Sequence, residues 1–298
     1  MQIIHWNYVI TFYLFAAGMS AGALLIALVA EIVDYDKYRH IVRIGSLISP
    51  FPITFGIVCL VFDLERPYYF WKLLTTIQYT SVMSIGSWIL VFFCCISYTN
   101  FYLRIKGDRL KAIIKILGLI LSLGVALYTG ILISILNARP LWNSPFIPIL
   151  FFISAIIDGN AVICIGLYLI KKDVITEIIF RQNKIFLYLI DVSMLSILII
   201  SMIFFVSGVS TKDSSSAVSV ILTGAYSVYF WIFVIFTGVI IPLIYELAEV
   251  IKYSSNKTTS RQNNINAAIA IGVMALFGGY MLRYVIIYGG QITSAIKY

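Results

Sequence analysis

Polar side chains that can hydrogen-bond a small molecule lie near the ends of two apolar segments of the sequence. Tyr128 stands eight residues before the end of the fourth segment, about 12 Å deep if that segment is helical. Asn7, Thr11 and Tyr13 lie near the start of the first segment, at the same predicted level. Their hydroxyl and amide groups can donate and accept hydrogen bonds. Tyr128 taken alone also fits an interfacial aromatic belt or simple packing.

Charged residues stand beside these apolar segments. Asp63 and Arg66 are three residues apart and could share a helical face, either as an ion pair capping a helix or as a wall for a headgroup or partner. Arg139 and Trp142 follow the fourth segment, where an arginine beside a tryptophan commonly reaches toward the interface. Arg283 lies inside the last segment, where it either reaches outward or is functional. We predict that Arg66, Trp142 and Arg283 dock a partner.

Acidic residues inside the apolar segments are candidates for a proton path. Asp158 lies twelve residues into the fifth segment, about 18 Å deep and near the midplane. Asp191 and Glu246 lie near the other ends of the sixth and seventh segments. Buried acids are costly and often mark proton routes. The alternative for Asp158 is a neutral, hydrogen-bonded helix contact, and for Glu246 an interfacial position.

Residues that bind redox metals are scarce. The two histidines, His5 and His40, stand outside the predicted spans, so haem ligation by a histidine pair is not expected. An iron–sulfur cluster needs about four closely spaced cysteines, and the pair Cys94–Cys95 has no second pair. The sequence therefore predicts no haem, no iron–sulfur cluster and no other metal site in this chain.

The segments that carry these residues make up nearly the whole chain of 298 residues. It is 61% hydrophobic and only 11% charged, against about 25% charged in a soluble domain. Apolar runs of about 20 residues indicate membrane-spanning helices. We predict one all-α, polytopic membrane domain over residues 1–298, with about eight helices near 8–30, 44–62, 84–103, 116–136, 146–170, 185–209, 225–247 and 265–287.

The distribution of basic residues predicts an orientation. Alternate loops carry 15 of the 21 Lys and Arg residues, and the opposite side carries six. Because cytoplasmic loops are enriched in Lys and Arg, both termini are predicted on the outer, periplasmic or extracytoplasmic face. The net charge of +8 is spread over short loops, which excludes a nucleic-acid-binding face.

Small residues in the first segment predict close helix packing. Gly18 and Gly22 form a G-x-x-x-G pair, a spacing that lets helices approach each other closely. The eight helices can be grouped into two four-helix bundles, although no sequence repeat supports that grouping.

Four stretches of the sequence resemble one protein family. They are "YLFAAGMSAGA", "FDLERPYYFWKLLTT…TSVMSIGSWIL", "YTGILISILNARPLWNSP" and "GGYMLRYVIIYGGQ". In this order they are similar to the membrane subunits of the polysulfide reductase and NrfD type, over nearly the whole chain. That family is known as an eight- to ten-helix, quinone-reactive anchor of the cytoplasmic membrane.

The resemblance implies a cofactor, partners and a site. The cofactor is a quinone of the menaquinone type, and the partners are a four-cluster ferredoxin-like iron–sulfur subunit and a catalytic subunit, often a molybdopterin enzyme, on the outer face. Some relatives carry Asn and His on the first helix, but this chain has no His there, so Asn7, Thr11 or Tyr13 must substitute beside Tyr128. The predicted quinone-binding set is Tyr128, Asn7, Thr11, Tyr13, Asp63 and Arg139.

Two other functions fit an eight-helix bundle. A secondary transporter would use kinked helices and the midplane Asp158, but it predicts a symmetry between the halves that the sequence lacks. A purely structural anchor would tether an enzyme without touching quinone.

Overall fold

A computed structural model gives the architecture of residues 6–63, 68, 75, 81–107, 110–135, 139–170, 177–208, 218–255 and 261–293, with backbone alone at 63, 208 and 261–264. Within these ranges every long element is a helix. The helices are α1 (Tyr8–Ile48), α2 (Pro50–Asp63), α3 (Val82–Lys106), α4 (Ala112–Ser134), α5 (Phe146–Leu169), α6 (Glu177–Gly208), α7 (Tyr229–Ser254) and α8 (Arg261–Ile292).

The first helical stretch folds back on itself. Two residues inside α1 leave helical geometry, Asp34 at φ −166° and ψ 101° and Tyr38 at φ −106° and ψ 17°. The polypeptide then returns alongside its own beginning, and the Ser20 hydroxyl donates to the Ser49 carbonyl oxygen at 2.5 Å. The described residues contain seven apolar stretches long enough to span a membrane, and the first, Tyr8–Phe62, supplies two crossings. The predicted all-α membrane protein of about eight helices is therefore confirmed.

The part of α1 before the turn at Asp34, together with α5, forms the centre of the bundle. In the most apolar window of each of these stretches 72% of the residues are buried, against 28% in α3 and 33% in α6 and α7, which offer their apolar side chains to lipid. Of the other helices, α2, α3 and α4 pack around α1, while α6 and α8 pack against α5 and α7 packs against α6 and α8.

Glycines permit the close approach of α1 and α5. A side chain at Gly22 would collide with the backbone of Ala155, and one at Gly159 would collide with the backbone of Gly22 and Ala23. The close packing predicted from the G-x-x-x-G pair is therefore present, with Gly18 set against the side chain of Ala155.

The first half of α7 is wound more widely than an α-helix. Tyr229–Ile240 is π-helical, and the α-helical turns that follow begin at Ile241, with Pro242 in their first turn. The Thr237 hydroxyl donates to the carbonyl oxygen of Ile232, five residues earlier, at 2.8 Å. Runs of π-helix are rare in proteins and are concentrated at functional sites.

Candidate functional site

Three buried hydroxyl side chains lie at one level, at the end of the bundle where α1 begins and α4 ends, with Thr11 and Tyr13 two residues apart on α1 and therefore on different sides of that helix. Tyr13 and Thr11 are fully buried, and Tyr128 is 5% exposed. The hydroxyls of Tyr13 and Tyr128 face each other. The ring of Tyr128 fills the space that a side chain at Gly86 of α3 would need, so three helices together fix its position. We call Thr11, Tyr13 and Tyr128 the hydroxyl cluster.

Two hydroxyls of this cluster lack hydrogen-bond partners. Thr11 Oγ1 and Tyr13 Oη are buried, and no group of the described residues meets either of them at hydrogen-bond geometry. A buried polar group without a partner costs about 1–3 kcal/mol. Such groups are commonly completed by a ligand or by water. The cluster can therefore donate hydrogen bonds to an acceptor oxygen, such as a carbonyl oxygen of a bound molecule.

A fully buried ion pair lies deeper in the bundle. Arg283 Nη1 of α8 donates to Asp158 Oδ2 of α5 at 2.8 Å, to Ser154 Oγ at 3.0 Å and to the Gly279 carbonyl oxygen at 2.8 Å. Both charged side chains are 0% exposed. Gly18 of α1 leaves room for the guanidinium. Because Gly18 is five residues beyond Tyr13, the pair lies about 7 Å below the hydroxyl cluster.

Aromatic rings flank this ion pair. The Arg283 guanidinium carbon lies 5.6 Å from the centroid of the Phe15 ring and 5.4 Å from that of Phe151. Both distances fall in the range of cation–π attraction. The arginine is thus stabilised by a carboxylate, a hydroxyl, a carbonyl and two ring faces, although its Nε and Nη2 have no hydrogen-bond partner among the described residues.

Acidic groups continue from this pair toward the opposite end of the bundle. Asp191 of α6 and Glu246 of α7 are 2% and 4% exposed, and their carboxyls lie side by side. Two buried carboxyls in contact cannot both be ionised without a large cost, so the pair can hold a proton. Beyond them Glu249 binds Lys184 at 2.7 Å and Lys252 at 3.0 Å. Asp158, Asp191, Glu246 and Glu249 form what we call the acidic column.

Two residues of the loop before α5 fasten the end of α8. Arg139 Nη1 donates to the carbonyl oxygens of Gln291 at 2.7 Å and Thr293 at 2.9 Å. The Trp142 indole N–H donates to the Ile286 carbonyl oxygen at 2.9 Å. Because the last four carbonyls of a helix have no partner within it, the contact of Arg139 with Gln291 satisfies one of them, and Trp142 holds α8 at a carbonyl further from its end.

Comparison with known proteins identifies the family. The sequence profile described as "Polysulphide reductase, NrfD" matches residues 1–295. The protein belongs to the NrfD polysulphide reductase family. It is 32% identical to a polysulfide reductase subunit of Wolinella succinogenes, over 96% of its own length and 94% of that protein. It is 27% identical to "Protein NrfD homolog" of Haemophilus influenzae, over 97% of its own length and 95% of that protein.

A more distant relative matches part of this NrfD-family protein. The "Hdr-like menaquinol oxidoreductase integral membrane subunit" of Archaeoglobus fulgidus is 24% identical, over 51% of this chain and 38% of that protein. The resemblance read from the four sequence stretches is confirmed by these matches.

The NrfD-family structure brings together some of the predicted quinone residues. Tyr13 and Tyr128 face each other in the hydroxyl cluster and Thr11 is buried at their level, whereas Asn7 is exposed at the residue before α1. Arg139 is bound to the end of α8 rather than to the cluster. Asp63 ends α2, and its side chain lies outside the described residues.

Two of the three residues predicted to dock a partner lie in the interior. Arg283 is fully buried against Asp158, and Trp142 is 4% exposed and stacks on Trp6 at 5.2 Å. Neither side chain is presented to a partner, contrary to the predicted docking role. Arg283 is buried because a carboxylate on another helix compensates its charge, and the tryptophan is buried because its N–H finds a carbonyl. Arg66 lies outside the described residues.

Sequence reasoning missed a second buried charge cluster in the NrfD-family bundle. Glu31 of α1 forms ion pairs with Arg104 of α3 and, at 3.1 Å, with Lys115 of α4. Its side chain is 1% exposed. One signal was available, because Glu31 directly follows the first predicted span, where an isolated acid needs a partner. Among the described residues no three His, Cys, Asp or Glu side chains are grouped so that they could hold a metal ion.

Proposed function

We infer that this protein is the membrane anchor subunit of a respiratory oxidoreductase, exchanging electrons between a membrane quinone and an iron–sulfur partner subunit. The hydroxyl cluster carries this inference. A buried tyrosine pair in which Tyr13 Oη has no partner at hydrogen-bond geometry lowers the stability of the empty bundle and is suited to holding a carbonyl ligand.

The residues of the cluster fit a quinone headgroup by their chemistry. When bound, a quinone supplies a carrier of two electrons and two protons. Tyr13 and Tyr128 offer two facing hydroxyl donors from two helices, and each can donate to a ring oxygen. Burial of the tyrosines keeps bulk water away from these donors, which strengthens their hydrogen bonds.

The relatives support a multi-subunit setting. One is named as part of a polysulfide reductase, and another as the integral membrane subunit of a menaquinol oxidoreductase. We propose a quinone of the menaquinone type, a four-cluster ferredoxin-like iron–sulfur subunit, and a catalytic subunit such as a molybdopterin enzyme. The partners dock on the outer face of the cytoplasmic membrane, against residues 63–83 and 137–145, with Arg66 as the remaining docking candidate. In this arrangement both termini face outward.

Substitution of one hydroxyl tests the quinone site. Tyr128→Phe removes a donor but keeps the ring against Gly86, so we expect quinol-coupled electron transfer to fall about three- to tenfold, the worth of one neutral hydrogen bond. Activity of the catalytic subunit with an artificial electron donor should be unchanged. Tyr38→Phe is the matched control, because Tyr38 is also buried and stacks on Phe186 at the other end of the bundle.

The outcome separates the alternatives. Wild-type quinol turnover in Tyr128→Phe, together with purified protein that contains no quinone, would favour a purely structural anchor. A protein that purifies without iron–sulfur absorbance and moves a solute would favour a transporter.

The acidic column favours a second candidate function, proton transfer across part of the membrane. Asp158, Asp191 and Glu246 follow one another from the ion pair toward the opposite end, on α5, α6 and α7. We expect Asp191→Asn to abolish proton uptake coupled to quinone turnover in vesicles, while Ser193→Ala, on the exposed face of the same helix, leaves it intact. Unchanged proton uptake in Asp191→Asn rejects this path.

A further inference from the structure

A basic cavity opens at the end of the bundle opposite to the hydroxyl cluster. Its volume is about 360 Å³, within the range of ligand pockets, which is about 300–1,000 Å³. It lies between the turn of α1 and the end of α3, and four cationic side chains line it: Arg39, Arg43, Arg104 and Lys106. Neither the hydroxyl cluster nor the acidic column contributes to it.

The charges of this cavity are only partly compensated. Arg104 is buried and paired with Glu31, so it forms a fixed part of the wall. Arg39 and Arg43 are exposed, and no carboxylate of the described residues forms an ion pair with either of them. The Arg39 Nε lies 3.4 Å from the Nε2 of the buried His40. Cations gathered in a concave site attract an anion strongly.

The geometry of the donors selects the kind of anion. Arginine guanidinium groups bind phosphate through paired N–H groups, and two of them rise from consecutive turns of α1 at Arg39 and Arg43. Lys106 adds a point charge, and its ammonium lies 4.5 Å from the centroid of the Tyr102 ring. Beside Lys106, Ile105 lines the cavity and is 60% exposed, which offers an apolar surface next to the cations.

We propose that this cavity binds a phosphate group, carried by an anionic lipid headgroup or as free phosphate. Basic pockets between membrane helices on the cytoplasmic side commonly bind such headgroups. The exposed isoleucine is placed where the glycerol and first methylenes of a lipid would lie. The site is independent of the quinone proposal, because it shares no residue with the hydroxyl cluster.

Native mass spectrometry of the full-length protein with its copurifying subunits tests the proposal. Three probes are titrated separately: dioctanoyl phosphatidylglycerol, dioctanoyl phosphatidylcholine and inorganic phosphate. We expect saturable binding of one phosphatidylglycerol or one phosphate, and at least tenfold weaker binding of phosphatidylcholine, whose headgroup carries a compensating positive charge. Phosphatidylglycerol binding identifies a lipid site, and phosphate binding without it identifies a site for the free anion.

Charge removal at the rim locates the binding. Arg39→Gln/Arg43→Gln should weaken it about tenfold or more, since each basic residue near a membrane surface contributes about a factor of five. Arg39→Lys/Arg43→Lys, which keeps the charge, should restore part of it. The matched control is Lys111→Gln/Arg181→Gln, which removes two charges from the same end outside the cavity. Equal losses in the two double variants, or no saturable binding to the wild type, would overturn the proposal.

Discussion

The two ends of the bundle each hold a buried pair of tyrosines, and the pairs differ in how their hydroxyls are satisfied. Near the start of α1, Tyr13 and Tyr128 face each other, but Tyr13 Oη has no hydrogen-bond partner in the described residues. At the opposite end, the hydroxyls of Tyr168 and Tyr188 are hydrogen-bonded at 3.0 Å. The second pair lies near Glu249, whose carboxylate binds two lysines.

The difference separates hydroxyl groups that are free to bind a ligand from hydroxyl groups that stabilise the packing of the helices. Satisfied polar pairs hold helices together and gain nothing from a ligand. Polar pairs without hydrogen-bond partners lower the stability of the protein in the absence of a ligand, and binding of an acceptor restores that stability. The ion pair of Arg283 and Asp158 lies between the two ends and is satisfied at the carboxylate Oδ2 but not at Oδ1.

The largest effect is expected at this central ion pair. Arg283→Met leaves Asp158 buried without its partner and should lower the unfolding free energy by about 3–5 kcal/mol. Unfolding in mixed detergent micelles with increasing dodecyl sulfate measures it. The double variant Arg283→Met/Asp158→Leu should recover most of the loss, because no charge is then left without a partner. If the double variant is as unstable as the single one, the pair matters by its packing rather than by its charge.

The end of the bundle that holds Glu249 allows a graded test with two lysines. Lys184 is 14% exposed and binds Glu249 at 2.7 Å, so Lys184→Gln should cost about 1.5 kcal/mol. Lys252 binds the same carboxylate but is 48% exposed, so Lys252→Gln should cost under about 0.5 kcal/mol. Added salt should change the Lys252 difference more than the Lys184 one. Equal costs in the same micelle assay would contradict a burial-dependent network.

The smallest effect compares the two tyrosine pairs directly. Tyr168→Phe removes a satisfied hydrogen bond and should cost about 1 kcal/mol. Tyr13→Phe removes a hydroxyl without a partner, so stability without quinone should stay the same or rise. Added menaquinone analogue should stabilise the wild type more than Tyr13→Phe. If Tyr13→Phe and Tyr168→Phe lower the stability equally, the hydroxyls of the two tyrosine pairs are equally satisfied and the proposed difference between the two ends is wrong.

Much of the fold could be predicted from the sequence because each membrane-spanning helix corresponds to a continuous apolar run. The all-α membrane fold and the close packing at Gly22 were predicted. The turn within α1 falls in the predicted gap between the spans 8–30 and 44–62, but its position was not predicted, since Asp34 leaves helical geometry without a proline or glycine to signal it.

The candidate site was predicted less completely, and Arg283 shows why. Position within an apolar run indicates that an arginine is unusual, but it does not reveal a partner 125 residues away on another helix. Asp158 and Arg283 were therefore assigned to different roles, a proton path and a docking surface. Thr11, Tyr13 and Tyr128 could be placed at one level because depth can be counted from the helix ends, and their binding role stays a prediction.

The central position of α1 constrains how the protein is made. It leaves the ribosome before the surfaces that cover it, around Ala155 and Gly159, which follow more than a hundred residues later. At about 5–20 residues per second, that interval is on the order of ten seconds. Glu31 lacks Arg104 during the first part of this interval, until residue 104 has been made, and the glycine face of α1 meets only lipid or the insertion machinery throughout it. The newly made protein therefore passes through a stage in which the surface of α1, buried in the finished bundle, is uncovered. Quality-control factors of the membrane can contact it at that stage.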